Sequence, residues 1–333
     1  MIDLLNLEEN KVSTDFSGYP VVFIGETGDG KTDSLNRFLR SVAPQGKVPL
    51  FIMFEDRHKG IQNIMAQRVY SIAEVMTTVG QLKNPKVRER FSCVVIDTID
   101  KFEEMASRYQ AQNKEVEIIE DLNYGKGKRY LNASVGIVNE IRNLGLPVHF
   151  TAQAYTTTGM IDKRTVTQTK LKDTTKAQIF HDAFLVGIVK QDLSQPDPLH
   201  SDRLISFRKS DVFVELKDTF GLPDFMKVGE IKSNLEILFE SKYDKSELTS
   251  TQVLDEIVET TTFDEVVKRG TELGGILANG GHLEEALNIM KLNIGKNADE
   301  SAKMFDTLNS NQMDLAKVVV IKLEELANQY DLK

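Results

Sequence analysis

The chain has 333 residues, of which 41% are hydrophobic and 27% charged, and it contains 21 glycines and 8 prolines. This composition excludes a disordered or low-complexity protein. The length predicts about two globular domains. Its one cysteine, Cys93, excludes an intramolecular disulfide framework and a multi-cysteine zinc site. The net charge of -9 argues against a long nucleic-acid groove, but the acidic excess is concentrated after residue 240. No apolar stretch reaches the ~20 residues that span a bilayer, and the first 16 residues lack a secretory signal pattern. We therefore expect a cytoplasmic protein with no membrane partner.

Short apolar runs rich in Val, Ile and Phe alternate with segments of helical period from Tyr19 to Val189. This alternation is typical of an α/β fold with a mainly parallel sheet flanked by helices. The predicted strands are 20–24, 48–54, 92–96, 148–151 and 183–189, and the predicted helices are 31–42, 72–82, 98–113 and 130–144. After a turn-rich break at 194–198, segments 203–208 and 212–217 are predicted to form a β-hairpin that closes the sheet.

A smaller helical domain is predicted in the last quarter of the chain. Apolar residues recur at helical spacing, at positions 253, 254, 257 and 258 and again between 315 and 326. The predicted domains are therefore 1–243, with its core in 18–225, and an acidic helical domain at 244–333. The second domain is expected to bind a protein partner, such as a single-strand binding protein, to provide an oligomer contact, or to act as an acidic mimic that keeps the DNA-binding loops from self-association.

The most specific motif, Gly25-Glu-Thr-Gly-Asp-Gly-Lys-Thr32, has the GxxxxGK[ST] pattern of a phosphate-binding loop and lies between a predicted strand and a predicted helix. Its glycines let successive backbone N–H groups point at phosphate oxygens, and the helix N-terminus favours the same anion. Lys31 is expected to contact the β- and γ-phosphates of ATP, and Thr32 to bind Mg²⁺. Asp29 is tolerable near phosphates only if it points to solvent or to a partner. The predicted nucleotide-binding residues are Gly25, Glu26, Thr27, Gly28, Asp29, Gly30, Lys31, Thr32 and Asp33.

Polar residues at the ends of other strands are predicted to complete this site. Asp97 ends an apolar strand, in the pattern of a Walker B motif, and can reach Mg²⁺ beside Thr32. Because no Glu follows Asp97, the catalytic base is expected from another strand. Glu55 is the first candidate, and Asp56 and Asp100 are the alternatives. Gln153 follows a further strand, where an amide either senses the γ-phosphate or caps the strand.

In this order, the motifs resemble the RecA/KaiC-like ATPases, and more narrowly the phage-encoded RecA-like ATPases of the Sak type, a group of single-strand annealing and recombination proteins. The resemblance covers about residues 18–225 and also rests on the segments Asn123–Lys128, His149–Gln153 and Val214–Pro223. It implies a RecA-like ATPase core that uses ATP and Mg²⁺ and acts as a homo-oligomer, with ATP at subunit interfaces and a cation supplied across each interface.

The cation across the interface is assigned by this resemblance to Lys217, with Arg208 and Lys209 as alternatives. Thr219 stands where the family usually has Arg. A trans-acting arginine at that position is therefore in doubt.

A basic, Thr-rich stretch, Tyr155–Gln178, corresponds in this resemblance to the mobile DNA-contacting loop of RecA-like proteins. Lys and Thr side chains contact phosphates without sequence preference, and Tyr155 can stack on a base. We predict a salt-sensitive, sequence-independent affinity for single-stranded DNA, although a loop that binds nothing has the same composition. The predicted DNA-binding residues are Lys126, Lys128, Arg129, Lys163, Arg164, Lys170 and Lys172.

Three functions are compatible with these motifs. The first is a phage-type ATPase that binds single-stranded DNA and promotes annealing or strand exchange. The second is a nucleotide-switched protein-interaction ATPase, in which ATP reshapes 155–178 for a protein partner and DNA is irrelevant. The third, a kinase for a small metabolite, is disfavoured because such a kinase usually carries a basic lid and has no need of the late hairpin. Stimulation of ATP hydrolysis by DNA distinguishes the first function from the others.

Overall fold

The computed structural model describes residues 11–117, 136–158, 164–195, 202–250, 262–297 and 299–332, apart from the side chains of Arg57, His58 and Asn311. The chain divides into two compact units, Met1–Val258 and Glu259–Lys333. Among the described residues, no helix combines the length and the apolar character needed to cross a membrane.

The first unit alternates strands and helices. Its strands are β1 (Val12–Ser13), β2 (Val21–Gly25), β3 (Val48–Met53), β4 (Met65–Arg68), β5 (Phe91–Asp97), β6 (Val148–Thr158), β7 (Thr165–Thr169), β8 (Leu185–Lys190), β9 (Leu204–Ser206), β10 (Lys217–Asp218), β11 (Met226–Lys227) and β12 (Leu248–Thr249). Its helices are α1 (Lys31–Val42), α2 (Ile72–Leu82), α3 (Pro85–Arg88), α4 (Ile99–Asn113), α5 (residues 136–143), α6 (Asp173–Asp182) and α7 (Ile231–Lys242).

The central sheet has the strand order β11-β9-β8-β2-β6-β5-β3-β4. The pairs from β8 through β4 are parallel, whereas β9 is antiparallel to β8 and β11 is antiparallel to β9. β6 lies between β2 and β5, so the strand ends that carry Gly25 and Asp97 are separated by one strand. The predicted α/β fold with a mainly parallel sheet flanked by helices is confirmed.

Both faces of the sheet are covered, which explains why its strands are almost continuously apolar. Successive residues of a strand point to opposite faces. One apolar core therefore contains Val22 and Ile96 together with residues of α2, α4 and α5. The other core contains Phe23 and Val95 together with residues of α1 and α7. This double burial fixes the carboxyl edge of the sheet, where the polar residues lie.

Buried His149 links the start of the sheet to the preceding turn. Its Nδ1 accepts a hydrogen bond from the Val21 N–H at 3.2 Å, and its Nε2 lies 3.1 Å from the Ser17 carbonyl oxygen. Burial lowers the pKa of His149 to about 4, and the ring is therefore neutral at pH 7. A neutral ring with Nε2–H donating to Ser17 satisfies both contacts, which gives His149 a structural role.

The late part of the sheet differs from the predicted hairpin of 203–208 and 212–217. β9 pairs with β8 at Ile188–Lys190, and β10 pairs with β8 at Leu185–Val186. The two strands therefore lie one after the other along the same edge of β8, and the predicted pairing between them is wrong. The intervening chain instead contacts β7, where the Thr167 N–H donates to the Val212 carbonyl at 2.8 Å.

The Thr-rich stretch after Gln153, predicted as a loop, continues a strand instead. β6 extends to Thr158 and pairs with β7 in antiparallel register from Ala154↔Thr169 to Thr158↔Thr165. Helix α6 follows. We call residues 154–158 and 165–169 the β6–β7 hairpin.

The first unit extends beyond the predicted boundary at 243. β12 pairs in parallel with β1, with Val12 opposite Leu248, and the division of the chain falls at Val258. This pairing keeps residues after 243 with the sheet-containing unit. The predicted apolar positions 253, 254, 257 and 258 lie outside the described residues.

The second unit contains helices α8 (Phe263–Asn279), α9 (Leu283–Asn293) and α10 (Met313–Gln329). They enclose a separate core that includes Leu277, Val319 and Leu323. Gly270 of α8 makes room for Phe305, since a Cβ at this position would lie 2.3 Å from the Phe305 ring. The prediction of helices in the C-terminal part of the chain is confirmed.

Candidate nucleotide-binding site

The P-loop, Gly25–Thr32, connects the end of β2 to the start of α1. Gly28 has φ 99° and Gly30 has φ 80°, a left-handed conformation that favours glycine. The Ser34 N–H donates to the Gly30 carbonyl at 2.9 Å, so the helix begins directly after the loop. Backbone N–H groups at such a turn and the positive end of α1 form an anion-binding surface.

The carboxylate of Asp29 has partners within the same chain. Its Oδ2 accepts from the Glu26 N–H at 2.9 Å and lies 3.6 Å from Lys190 Nζ. Glu26 Oε1 lies 3.8 Å from the same amine. Lys190, at the end of β8, therefore offsets the two acidic side chains of the loop. Sequence reasoning missed Lys190, although its place directly after a predicted strand was a usable signal.

Thr32 and Asp97 meet at the carboxyl edge of the sheet. The Thr32 hydroxyl lies 3.0 and 3.2 Å from the two carboxylate oxygens of Asp97, and the Thr151 hydroxyl donates to the same carboxylate. Burial raises the pKa of Asp97, while these two hydrogen bonds and the charge of Lys31 oppose the increase. A hydroxyl and a buried carboxylate are hard oxygen ligands, and Mg²⁺ commonly binds one or two protein ligands plus phosphate. The two residues therefore fit a Mg²⁺ site.

Lys31 lies at the same place. Its side chain is buried, and its Nζ is 3.5 Å from the Glu26 carbonyl oxygen. The P-loop lysine and both predicted metal ligands are thus brought together, as the motifs predict. Asp33 follows in the first turn of α1, where its carboxylate lies 3.3 Å from Arg37.

Of the predicted carboxylate bases, Glu55 lies beside Asp97. The Phe54 N–H donates to the Asp97 carbonyl at 3.1 Å, and the charge of Glu55 contributes to the raised pKa of Asp97. Asp56 instead forms an ion pair with Arg68 at 3.0 Å. The geometry therefore favours Glu55 over Asp56.

The third carboxylate, Asp100, is tied to β6. It accepts from the Gln153 N–H at 2.7 Å, and burial raises its pKa to about 6. The amide of Gln153 reaches the P-loop, where its Nε2 lies 2.9 Å from the Thr27 hydroxyl. Gln153 is therefore in contact with the loop at which it was predicted to act.

Strand β6 contacts the loop a second time through Thr156. Its hydroxyl donates to Glu26 Oε1 at 3.1 Å and lies 2.9 Å from the Thr167 hydroxyl of β7. The P-loop and the β6–β7 hairpin are therefore joined directly.

The predicted interface cation, Lys217, lies at the end of α6 and not at the P-loop. Its Nζ donates to the carbonyl oxygens of Phe180 and His181, at the end of α6. Arg208 forms an ion pair with Asp224 at 2.6 Å. The structure thus does not bring Lys217 to the P-loop of its own chain.

The predicted DNA-binding residues are only partly described. Lys126, Lys128, Arg129 and Lys163 lie outside the described residues. The other three are exposed and flank the second strand of the β6–β7 hairpin: Arg164 directly precedes β7, and Lys170 and Lys172 follow it. Arg164 lies 3.2 Å from Asp211, and Lys170 Nζ lies 5.7 Å from the centre of the Tyr155 ring.

Three further side chains near the loop were not predicted. Thr151 holds Asp97, Gln191 donates to the Gly28 carbonyl at 3.2 Å, and Arg203 lies against Gly30. Arg203 is remote from the loop in sequence and follows no motif, so no local signal identifies it.

Comparisons with known proteins give a family model, a prophage relative and a solved structure. A family model described as an AAA domain matches residues 17–215. The SPbeta prophage-derived uncharacterized protein YorG of Bacillus subtilis (strain 168) is 29% identical over 157 residues, a match that covers 46% of this chain and 46% of that protein, or about half the length of each. A solved structure titled "Crystal structure of the RadB recombinase" matches 61% of this chain and 91% of its own, with 14% identity and a TM-score of 0.33. Because the family model covers more than half of the residues and includes the P-loop and Asp97, the chain belongs to this AAA domain family.

Proposed function

We propose that the protein is a Mg²⁺-dependent ATPase that binds single-stranded DNA and promotes annealing or strand exchange. It acts as a homo-oligomer in the cytoplasm, which is the host cytoplasm if the protein is phage-encoded. Membership of the AAA domain family supports nucleotide hydrolysis, and the prophage relative supports a phage setting. The resemblance of the ordered motifs to Sak-type ATPases supports the recombination role.

The contact between Thr32 and Asp97 is the observation that carries the ATPase part. Mg²⁺ held by these two residues would offset phosphate charge during hydrolysis. Lys31 lies beside them to bind the β- and γ-phosphates. Glu55, next to Asp97, would orient and deprotonate the attacking water.

The DNA part depends on the β6–β7 hairpin. It starts on the strand that contacts the loop through Gln153 and Thr156, and exposed cations flank its second strand, with Arg164 before β7 and Lys170 and Lys172 after it. Nucleotide at the loop and a DNA strand on the hairpin would thus be coupled through one strand. Electrostatic contacts of this kind are independent of sequence and weaken with salt.

The proposed homo-oligomer needs a cation that reaches across each subunit interface. We assign this cation to Lys217, with Arg208 and Lys209 as alternatives. The Lys217 amine lies at the end of α6 and not at the P-loop of its own chain, so the phosphate it would contact is one held by a neighbouring subunit. Such a cation would offset γ-phosphate charge across the interface.

The alternative, a nucleotide-switched ATPase that binds a protein partner, is favoured by one observation. Two cations of the basic stretch 155–178 already have acidic neighbours. Arg164 lies 3.2 Å from Asp211, and Lys176 lies 2.6 Å from Glu215. These pairs reduce the positive charge that the surroundings of the hairpin offer to DNA.

Hydrolysis of ATP by the purified protein, with and without single-stranded DNA and at two salt concentrations, tests the proposal. We expect DNA to stimulate hydrolysis, less so at high salt, and Lys31→Ala to be inactive. Hydrolysis that DNA does not change, together with no strand binding at low salt, would favour the protein-interaction alternative. A wild-type rate no higher than that of Lys31→Ala would contradict the ATPase itself.

A further inference from the structure

We infer that Arg203 is a nucleotide-binding residue whose guanidinium contacts the phosphates held by the P-loop of its own chain. This inference rests on the proposed nucleotide site and adds to it a cation from the same chain. A Cβ on Gly30 would lie 2.7 Å from Arg203 Nε and 3.5 Å from its Cγ and Cδ. The Arg203 side chain therefore crosses the last glycine of the loop, next to Lys31 and the first turn of α1.

The backbone around Arg203 is fixed on both sides. The preceding Asp202 accepts from the Gly229 N–H at 3.1 Å and forms an ion pair with Arg37 of α1. The Arg203 carbonyl accepts from the Val228 N–H at 2.9 Å, and the next residue begins β9. A side chain that starts from an anchored backbone loses less conformational entropy on binding than one from a free loop.

The acidic side chains of the loop disfavour a bound phosphate unless cations offset them. Glu26 and Asp29 place two carboxylates in the loop, and Lys190 lies within 3.8 Å of both. A further cation at the loop would favour a bound phosphate. Arg203 brings an additional permanent charge, and its planar guanidinium suits a phosphate group better than an ammonium does.

The position of Arg203 indicates which phosphates it contacts. Backbone N–H groups of a P-loop surround the α- and β-phosphates, while the lysine reaches the β- and γ-phosphates. Arg203 lies on the backbone of Gly30, and it is therefore assigned to phosphates that ADP and ATP share. Its removal should weaken binding of both nucleotides rather than slow the hydrolytic step.

The test is titration of the full chain with MgADP and MgATP, in the wild type and in Arg203→Ala, Arg203→Gln and Arg203→Lys. We expect Ala and Gln at position 203 to raise both dissociation constants about tenfold, as for loss of a charged hydrogen bond, and Lys to restore part of the affinity. Arg90→Ala is the matched control. Arg90 is exposed and directly precedes β5, at the amino ends of the parallel strands and so across the sheet from the P-loop. Its guanidinium carbon lies 6.0 Å from the centre of the Phe91 ring.

The outcomes separate this inference from the function on which it rests. Dissociation constants in Arg203→Ala and Arg203→Gln equal to those of Arg90→Ala, with binding lost in Lys31→Ala, would overturn the role of Arg203 alone. A loss confined to MgATP would overturn its assignment to the shared phosphates. A wild type that binds neither nucleotide would overturn both proposals. Melting temperatures measured without nucleotide identify a variant that is merely unstable. If Arg203→Ala is unstable, the dissociation constants of Arg203→Gln, which keeps most of the side-chain stem, decide whether Arg203 binds nucleotide.

Discussion

Asp97 combines deep burial with a surrounding set of hydrogen-bond donors. Burial disfavours its charged form, but the hydroxyls of Thr32 and Thr151 and the nearby Lys31 favour it. Removing a carboxylate from water costs much less free energy when donors or a cation replace the water. The residue is therefore placed to exchange the Thr32 hydrogen bond for contact with a divalent cation.

Glu55 provides a residue-scale test of catalysis. Glu55→Gln keeps the shape of the side chain but removes its charge and its ability to accept a proton. We expect ATP binding to be retained and hydrolysis to fall by about 10²- to 10⁴-fold, the usual contribution of a general base. Binding is measured by nucleotide titration and hydrolysis by phosphate release.

Asp56→Asn and Asp100→Asn serve as comparisons for Glu55→Gln. Asp56 is held by Arg68 and Asp100 by the Gln153 N–H, so both variants should retain more turnover than Glu55→Gln. If Glu55→Gln turns over normally and one of the other two does not, that residue replaces Glu55 as the candidate base.

At the scale of elements, strand β6 connects the nucleotide site to the candidate DNA-binding surface. Its first half is buried between β2 and β5, which fixes its position in the sheet. Gln153 still pairs with Gly25 of β2 and contacts the loop through its side chain. Beyond Gln153 the strand pairs with β7 in the β6–β7 hairpin, where Thr156 contacts the loop a second time. A single strand thus spans both surfaces.

Thr156→Val removes one of the two contacts between this strand and the loop. We expect basal ATP hydrolysis to remain and stimulation by single-stranded DNA to fall several-fold, because one hydrogen bond contributes roughly 1 kcal/mol. Thr158→Val is the matched control. Thr158 pairs with the Thr165 hydroxyl at 3.2 Å and has no described contact with the loop. Equal DNA stimulation in the two variants would show that Thr156 does not couple the sites.

Local patterns predicted the elements that local forces determine. Helices 31–42 and 72–82 coincide with α1 and α2. Both have a clear apolar face; α1 directly follows the P-loop motif, and α2 begins after the N-cap residue Ser71, whose hydroxyl accepts from the Glu74 N–H. The extension of β6 was missed because its Thr-rich sequence has no alternating apolar face, although Thr itself favours strands. The pairing of β9 and β10 with β8 was missed because the choice of partner strand is non-local.

The same distinction applies to the site. Lys31, Thr32 and Asp97 were predicted because one contiguous motif and one strand end carry them. Lys190 and Arg203 reach the loop only because β8 pairs with β2 and β9 pairs with β8. Lys190 could have been found as the polar residue directly after a predicted strand, whereas Arg203 follows no motif and no local pattern could reveal it.

At the scale of the whole molecule, the chain contains separate cores for its two units. The sheet-containing unit has a core on each face of the sheet. The helical unit has its own core, which among the described residues consists of residues from 263 onward. Independent cores predict that each unit has its own unfolding transition.

Leu323→Ala tests this independence. Leu323 of α10 is fully buried in the core of the helical unit, and its truncation should destabilise that unit by about 2–5 kcal/mol. Leu39→Ala, at an equally buried position on α1 behind the P-loop, is the counterpart. In calorimetry of the full chain, we expect Leu323→Ala to lower one transition and to leave MgADP affinity unchanged. Leu39→Ala should lower the transition that MgADP raises, because a ligand stabilises only the unit that binds it. One common transition that shifts in both variants would mean that the two units unfold together.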